Sequence, residues 1–301
     1  MLELLHEDAP PVLVQGITGR AGRRQTALMR AYGTNIVAGV SPNRAEANIE
    51  GVPVFRSCRE AVAATGARCA VMFVPPAAVL GALTEAVEAG LSLIVTLAEG
   101  MPVHQALEAV RRARSHGASW VGPSSPGVAA PGRYKMGFIP DVALAPGAIG
   151  IMAKSGTLAY EVCHRLAARG LGQSVWIGVG GDAVKGLRFA ELVPFFATCA
   201  RTRALLVIGE IGGTEEEDLA RALTEAAFPK PVHALIAGRH AREGVTLGHA
   251  GALIHGAHGT YQAKRAALEA AGARVHDCIA AIVESLAADP ALRHHEGRKV
   301  R

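Results

Sequence analysis

Short β-branched apolar runs alternate along the chain with Ala-rich stretches whose apolar positions recur every three to four residues. Val12–Gln15, Asn35–Val40, Cys69–Val74, Leu91–Leu97 and Trp120-Val121 read as strands. Stretches from about Arg23 to Tyr32, from Ala77 to Ala89 and from Val103 to His116 read as helices, the last two stopped by Gly90 and Gly117. Strands alternating with helices of this length predict βαβ units, a parallel sheet and right-handed crossovers. The pattern lapses between Pro123 and Gly147, where prolines and glycines leave no helical period. That segment reads as a linker or crossover containing the domain boundary. A second series follows, with strands at Ile149–Ala153, Ser174–Val179, Ala204–Ile208 and Val232–Ile236. Its helices are Leu158–Ala168, Glu215–Ala227, Lys264–Ala271 and Ile279–Ala287. The expectation is two α/β domains in series, over residues 1–130 and 147–290.

Composition narrows the class. The length fits about two domains at roughly 150 residues each, and 50% hydrophobic with 19% charged residues excludes wholesale disorder. No apolar run reaches the roughly 18–20 residues of a membrane helix. Met1 to Asp8 carries three acids and lacks a signal-peptide pattern. The five cysteines are scattered without a C-x-x-C pair, which argues against a disulfide framework or a cysteine zinc site. A cytoplasmic protein with reduced thiols is expected. Most of the +5 net charge comes from Arg293, Arg298, Lys299 and Arg301, so charge gives little support to nucleic-acid binding. With 35 glycines and an otherwise globular composition, the glycines must be placed locally, at turns or beside ligands.

Their positions are informative. Gly16-Ile17-Thr18-Gly19-Arg20-Ala21-Gly22 follows the first strand and opens the first helix, where backbone N–H groups and the helix dipole suit an anion. Its G-x-x-G-x-x-G spacing is neither the dinucleotide fingerprint nor a nucleoside-triphosphate loop; an ordinary strand–helix turn is the competing reading. Arg44, just after the second strand, would suit a phosphate, where an NAD enzyme would place an acid. Pro75 and Glu99 sit at two further strand ends. In the second half Lys154-Ser155-Gly156-Thr157, Gly178–Asp182 and Gly209–Gly213 each follow a strand, and loops at one sheet edge converge. His249 is flanked by Gly248 and Ala250, and Glu210 ends a strand of the same domain. A carboxylate on one imidazole nitrogen fixes the tautomer and leaves the other nucleophilic. His255 and His258 lie close by, but the spacing is loose and lacks an acidic ligand, so no metal site is assigned.

In these motifs the chain resembles the alpha subunit of succinyl-CoA synthetase and related ADP- or GDP-forming acyl-CoA synthetases, from about Val12 to Ala287. Gly209-Glu210-Ile211-Gly212-Gly213 and Gly248-His249-Ala250-Gly251-Ala252 carry the resemblance most specifically. Gly16–Gly22, Ala31–Thr34, Ser155–Leu158 and Gly180–Asp182 support it. The resemblance implies a Rossmann-like CoA-binding domain followed by a flavodoxin-like ligase domain holding a phosphohistidine. The implied reaction joins a small carboxylic acid to CoA through an acyl phosphate and a phosphorylated histidine. His249 is implied as the phosphorylated residue and Glu210 as the acid orienting it. Ser155, Gly156 and Thr157 match the phosphate loop. Gly16, Thr18, Gly19, Arg20, Gly22, Arg44, Pro75 and Glu99 match CoA-site positions. ATP or GTP with Mg²⁺ would be bound mainly by a partner beta subunit with an ATP-grasp domain, since two domains leave no room for one here.

The sequence also departs from the family pattern. Ser124-Ser125 stands where the family commonly has Asn-Cys, Lys154 where it has Arg, Arg44 where it has Lys, and Arg23-Arg24 where it has an aromatic-His pair. These departures point to a relative acting on another acid, such as malate or citrate. A non-catalytic CoA-binding paralogue and an NAD-dependent oxidoreductase are the alternatives that binding and ligase assays would separate.

Overall fold

The computed structural model describes residues 2–43, 46–241, 244, 248–253 and 259–292. Arg44, His255, His258 and the basic C-terminal tail therefore lie outside the described residues. The chain divides into two compact units, Met1–Ile139 with Ile177–Leu187, and Pro140–Trp176 with Arg188–Arg301.

The first unit runs β1 (Val12–Gln15), α1 (Arg20–Tyr32), β2 (Ile36–Val40), β3 (Asn48–Ile49), β4 (Val52–Phe55), α2 (Cys58–Thr65), β5 (Cys69–Met72), α3 (Val79–Glu88), β6 (Leu93–Thr96), α4 (Val103–Ser115), β7 (Ser119–Val121), β8 (Gly127–Ala130) and β9 (Tyr134–Gly137). Its sheet has the order β3-β4-β2-β1-β5-β6-β7. Neighbours pair parallel except β3 with β4. β1, β5 and β6 are buried at every position, which is why they read as continuous apolar runs rather than alternating ones. Leu13, Val40, Met72, Ile94 and Trp120 of the sheet share one core with Ala61 of α2, Leu83 of α3 and Ala109 of α4. From β1 the chain steps to β2 on one side and later to β5 on the other. Such a reversal opens a crevice at the carboxyl ends of the strands.

The segment read as a linker is structured. β8 and β9 form a buried antiparallel hairpin in register from Gly127↔Gly137 to Ala130↔Tyr134. The Gly178–Asp182 loop, expected in the second domain, belongs to the first unit. Gly186 N donates to Gly122 O at 2.9 Å and Leu187 N to Trp120 O at 2.7 Å.

The second unit contains β10 (Pro146–Ala153), α5 (Gly156–Ala167), β11 (Gln173–Gly178), α6 (Phe189–Thr198), β12 (Ala204–Glu210), α7 (Glu215–Glu225), β13 (Val232–Ala237), α8 (Tyr261–Ala270), β14 (Arg274–His276) and α9 (Ile279–Ala288). Its strands are ordered β14-β13-β12-β10-β11. The pairs β10–β12, β12–β13 and β13–β14 are parallel. Parallel register puts the ends of β10, β12 and β13 on one edge, which carries the loops of interest. Among the described residues, no helix is long and apolar enough to cross a membrane.

Candidate active site

In the first unit, the loops carrying Gly16–Gly22, Pro75 and Glu99 leave the carboxyl ends of the adjacent strands β1, β5 and β6. The first loop is closed by its own backbone. Gly16 N donates to Val40 O at 3.1 Å, and Gly19 N to Gly16 O at 3.1 Å. A Cβ on Gly16 would lie 2.8 Å from the Phe73 carbonyl oxygen, and one on Gly22 would run into the Gly16 carbonyl. Only glycine lets strand, loop and helix approach this closely. Gly19 caps α1 without a side chain, and the first helical turn holds no acid. The start of α1 therefore presents backbone donors and a positive dipole end to any anion placed there. Thr18 Oγ1 lies 3.2 Å from Ser41 Oγ. Arg23 donates to the Thr18 carbonyl at 3.2 Å and pairs with Glu46, so its charge is engaged rather than free. Arg20, Pro75 and Glu99 are exposed. The cradle fits a phosphate-bearing ligand such as CoA.

In the second unit the structure brings together the two candidate catalytic residues. Glu210 is the last residue of β12 and is 6% exposed. His249 follows β13 in sequence, and its Nδ1 lies 2.6 Å from Glu210 Oε2. With a proton on Nδ1 donated to that carboxylate, Nε2 would carry the ring's lone pair. Glycine makes the meeting of the loops possible. At Gly212, two residues past Glu210, a Cβ would collide with the carbonyl of Gly251, two residues past His249. The Ala252 N–H closes a turn onto the His249 carbonyl at 3.0 Å. Ser155 caps α5, its hydroxyl accepting from Leu158 N at 3.4 Å, and sits 3.5 Å from the Thr157 hydroxyl. Among the described residues, no group of three or more His, Cys, Asp or Glu side chains is arranged to hold a metal ion.

Sequence reasoning missed what lies beneath this pair. Glu216, fully buried, makes ion pairs with Lys154 at 2.8 Å and with Lys264. Lys154 also lies 3.5 Å from Glu215. Burial pulls the Lys154 ammonium down, but the Glu216 and Glu215 carboxylates outweigh it and hold it above its ordinary value. Burial likewise raises the Glu216 carboxyl, yet Lys154 and Lys264 bring it down to about 2. The signal available was the run Glu215-Glu216-Glu217-Asp218, which reads as a solvated first turn favourable to the dipole. Nothing local in the sequence tells which of its acids turn inward.

Residues 8–100 match the CoA binding domain family and residues 152–274 the CoA-ligase family. The chain is 41% identical over 283 residues to succinate–CoA ligase [ADP-forming] subunit alpha 1 of Archaeoglobus fulgidus, covering 94% of this chain and 97% of that protein. It is 40% identical over 274 residues to an ADP-forming sulfoacetate-CoA ligase subunit of Bilophila wadsworthia, covering 90% and 93%. Its fold matches an ATP citrate lyase structure from Methanothrix soehngenii in complex with citrate and coenzyme A. That match has a TM-score of 0.83 at 22% identity, and it covers 97% of this chain and 52% of that longer one. The expected order, a Rossmann-like CoA-binding domain followed by a ligase domain, agrees with these matches. The chain belongs to the alpha-subunit family of the ADP-forming acid–CoA ligases.

Proposed function

We propose that this chain is the CoA-binding, phosphohistidine-carrying subunit of an acid–CoA ligase, with residues 1–130 and 147–290 as its two working domains. It completes the reaction with a beta subunit whose ATP-grasp domain binds the nucleoside triphosphate and Mg²⁺. The single observation that carries the reading is the 2.6 Å contact between His249 Nδ1 and the buried Glu210 carboxylate.

In the thioester-forming direction, His249 Nε2 attacks the γ-phosphorus and the nucleoside diphosphate leaves. The Nδ1 proton stays on the ring, and Glu210 stabilises the positive charge of the phosphorylated imidazole. A carboxylate oxygen of the acid then attacks that phosphorus, which frees His249 and yields an acyl phosphate. The CoA sulfur, as thiolate, adds to the acyl carbon and inorganic phosphate leaves. Ser155, Gly156 and Thr157 at the start of α5 supply donors to the travelling phosphoryl group. Gly16, Thr18, Gly19, Arg20 and Gly22, with Arg44, Pro75 and Glu99, form the CoA site. A non-catalytic CoA-binding role is disfavoured because the nucleophile and its orienting acid are both present and in contact. The small-acid substrate belongs to the class that the relatives act on, which includes succinate and sulfoacetate.

The test is phosphorylation of the assembled alpha–beta complex with γ-labelled ATP and Mg²⁺, followed by a panel of small acids assayed for CoA-thioester formation. Acid-labile label on His249, lost in His249→Ala, is expected. Equal labelling of His249→Ala would refute the assignment.

A further inference from the structure

We propose that Glu216 is the positioning residue of this site. It is one buried carboxylate that ties the strand end bearing Glu210 to the helix start bearing Ser155, Gly156 and Thr157. The inference rests on the phosphohistidine reading above and deepens it.

Four observations within the second unit converge on Glu216. It is 0% exposed although it lies in the first turn of α7. Its Oε1 accepts the backbone N–H of Glu210 at 3.1 Å and meets the Lys154 ammonium at 2.8 Å. Its Oε2 takes the fully buried Lys264 of α8. Finally, Gly209 leaves the space the carboxylate occupies, since a Cβ there would lie 2.5 Å from Glu216 Oε1. The spacing Gly209-Glu210 with Glu216 six residues on is therefore a structural unit in which a side chain reaches back to hold the main chain of the His249-orienting acid.

Lys154 extends the unit to the other loop. It immediately precedes Ser155, its backbone N–H donates to Ile208 O at 3.0 Å, and its ammonium is also drawn toward the Glu210 carboxylate. One carboxylate thus fixes both the acid behind His249 and the backbone leading into the phosphate loop. Stability alone does not explain such a device. Removing three charges from water offsets most of their mutual attraction, and an apolar trio of similar volume packs as well. What the ionic set adds is geometry, and a site of this kind works only when its groups are held within about 0.5 Å.

The experiment uses the alpha–beta complex for kinetics and the full-length alpha chain, ¹⁵N-labelled at histidine, for NMR. Glu216→Gln keeps the shape and removes the charge. Gly209→Ala keeps the charge and displaces the carboxylate, and it serves equally if Glu216→Gln fails to fold. Each is expected to lower kcat about 10- to 100-fold, with the KM for CoA within about twofold. Each should also alter the tautomer balance and titration of the His249 ring. In a Glu210→Gln background, Glu216→Gln should cost clearly less than it does in the wild type, because the part of its effect that acts through Glu210 is already lost. Unchanged His249 ring signals in both variants, or a Glu216→Gln loss that adds in full to that of Glu210→Gln, would overturn the proposal. Absence of label on wild-type His249 would instead remove the phosphoryl-carrier reading. Label and ring signals are separate readouts, so the two failures are distinguishable.

Discussion

The two glycine-rich strand edges proposed above to hold phosphates are built from opposite materials. In the first unit the work is done by main chain. Gly16 and Gly22 bring β1, β5 and α1 so close that no Cβ fits, and the nearby Arg23 is tied up with Glu46. In the second unit it is done by buried charge, with Glu210 on His249 and Glu216 between Lys154 and Lys264. A main-chain cradle binds an anion that arrives and leaves unchanged. A group that is transferred needs a nucleophile, a fixed tautomer and a partner charge, and those are side-chain properties. On the proposed function the difference separates a holding site from a reacting one, and substitutions should separate them too.

The largest effect is expected from Glu210→Gln. A carboxamide can present its NH₂ to Nδ1 and stabilise the wrong tautomer. Turnover of the complex should fall on the order of 10³-fold, while CoA affinity, measured by calorimetry, stays within about twofold. Gly22→Ala should do the reverse. The added Cβ strikes the Gly16 carbonyl and comes within 2.9 Å of Ile17 Cα. Overpacking of this kind costs about 1–3 kcal/mol, which should appear as a 10- to 100-fold weaker CoA affinity with His249 labelling retained. If Gly22→Ala abolished labelling and spared CoA binding, the contrast between the two edges would collapse.

A third prediction uses the second unit's other buried charges. His233 on β13 is fully buried, with Nε2 3.1 Å from Asp289 Oδ2 and Nδ1 3.2 Å from His276 Nε2. Its ring stacks on that of His276, and Ser285 and Arg274 approach the cluster. Burial lowers both imidazoles, with Asp289 opposing the shift at His233, and His276 is brought to about 4. The unfolded chain takes up these protons first, near the ordinary value of about 6.5. The stabilisation is complete above that value and is lost as pH falls toward 4. Between pH 7 and 5 the second unit should lose about 1–2 kcal/mol, after discounting for the partial exposure of His276. Denaturant midpoints should show it, and His276→Gln should flatten the dependence. An unchanged slope in that variant would refute it.

Much of the fold was legible because buried parallel strands and their covering helices announce themselves by run length and period. What escaped did so for physical reasons. α6 carries Pro194 in its interior and buries Phe189, Leu192, Val193, Phe195 and Phe196, so its exposed side offers only Glu191 and Thr198 around that proline and its helical period is faint. α2 bears a readable start, Ser57 accepting from Glu60 N, but spans only Cys58–Thr65. The β8–β9 hairpin hid behind its prolines and glycines, which serve close packing there rather than a linker. At the site, His249 and Glu210 were legible as types in a pattern and through family resemblance. Glu216 and Lys264 were not, and Lys154 was read only as part of the Ser155 loop, because the ion pairs join positions 48 or more residues apart.

The smallest effect tests how far the main-chain character of the first edge extends. Just past β7, Ser124 adopts φ +58, a left-handed conformation unusual for serine and better tolerated by asparagine. Its N–H nevertheless donates to Ala98 O at 2.8 Å, so the surrounding loops hold it there. The neighbouring Ser125 is 3% exposed; its hydroxyl donates to Gly178 O at 2.5 Å and accepts from Gly127 N at 2.9 Å. Restoring the family's Asn-Cys pair one residue at a time should therefore give opposite signs. Ser124→Asn should stabilise by about 0.5 kcal/mol, since it relieves backbone strain without the unfolded-state entropy that glycine would add. Ser125→Cys should destabilise by about 1 kcal/mol, because a thiol is a weak donor and acceptor in place of two good hydroxyl bonds. Equal signs in thermal denaturation would mean that this corner, unlike the Gly16–Gly22 loop, is shaped by its side chains rather than by its backbone.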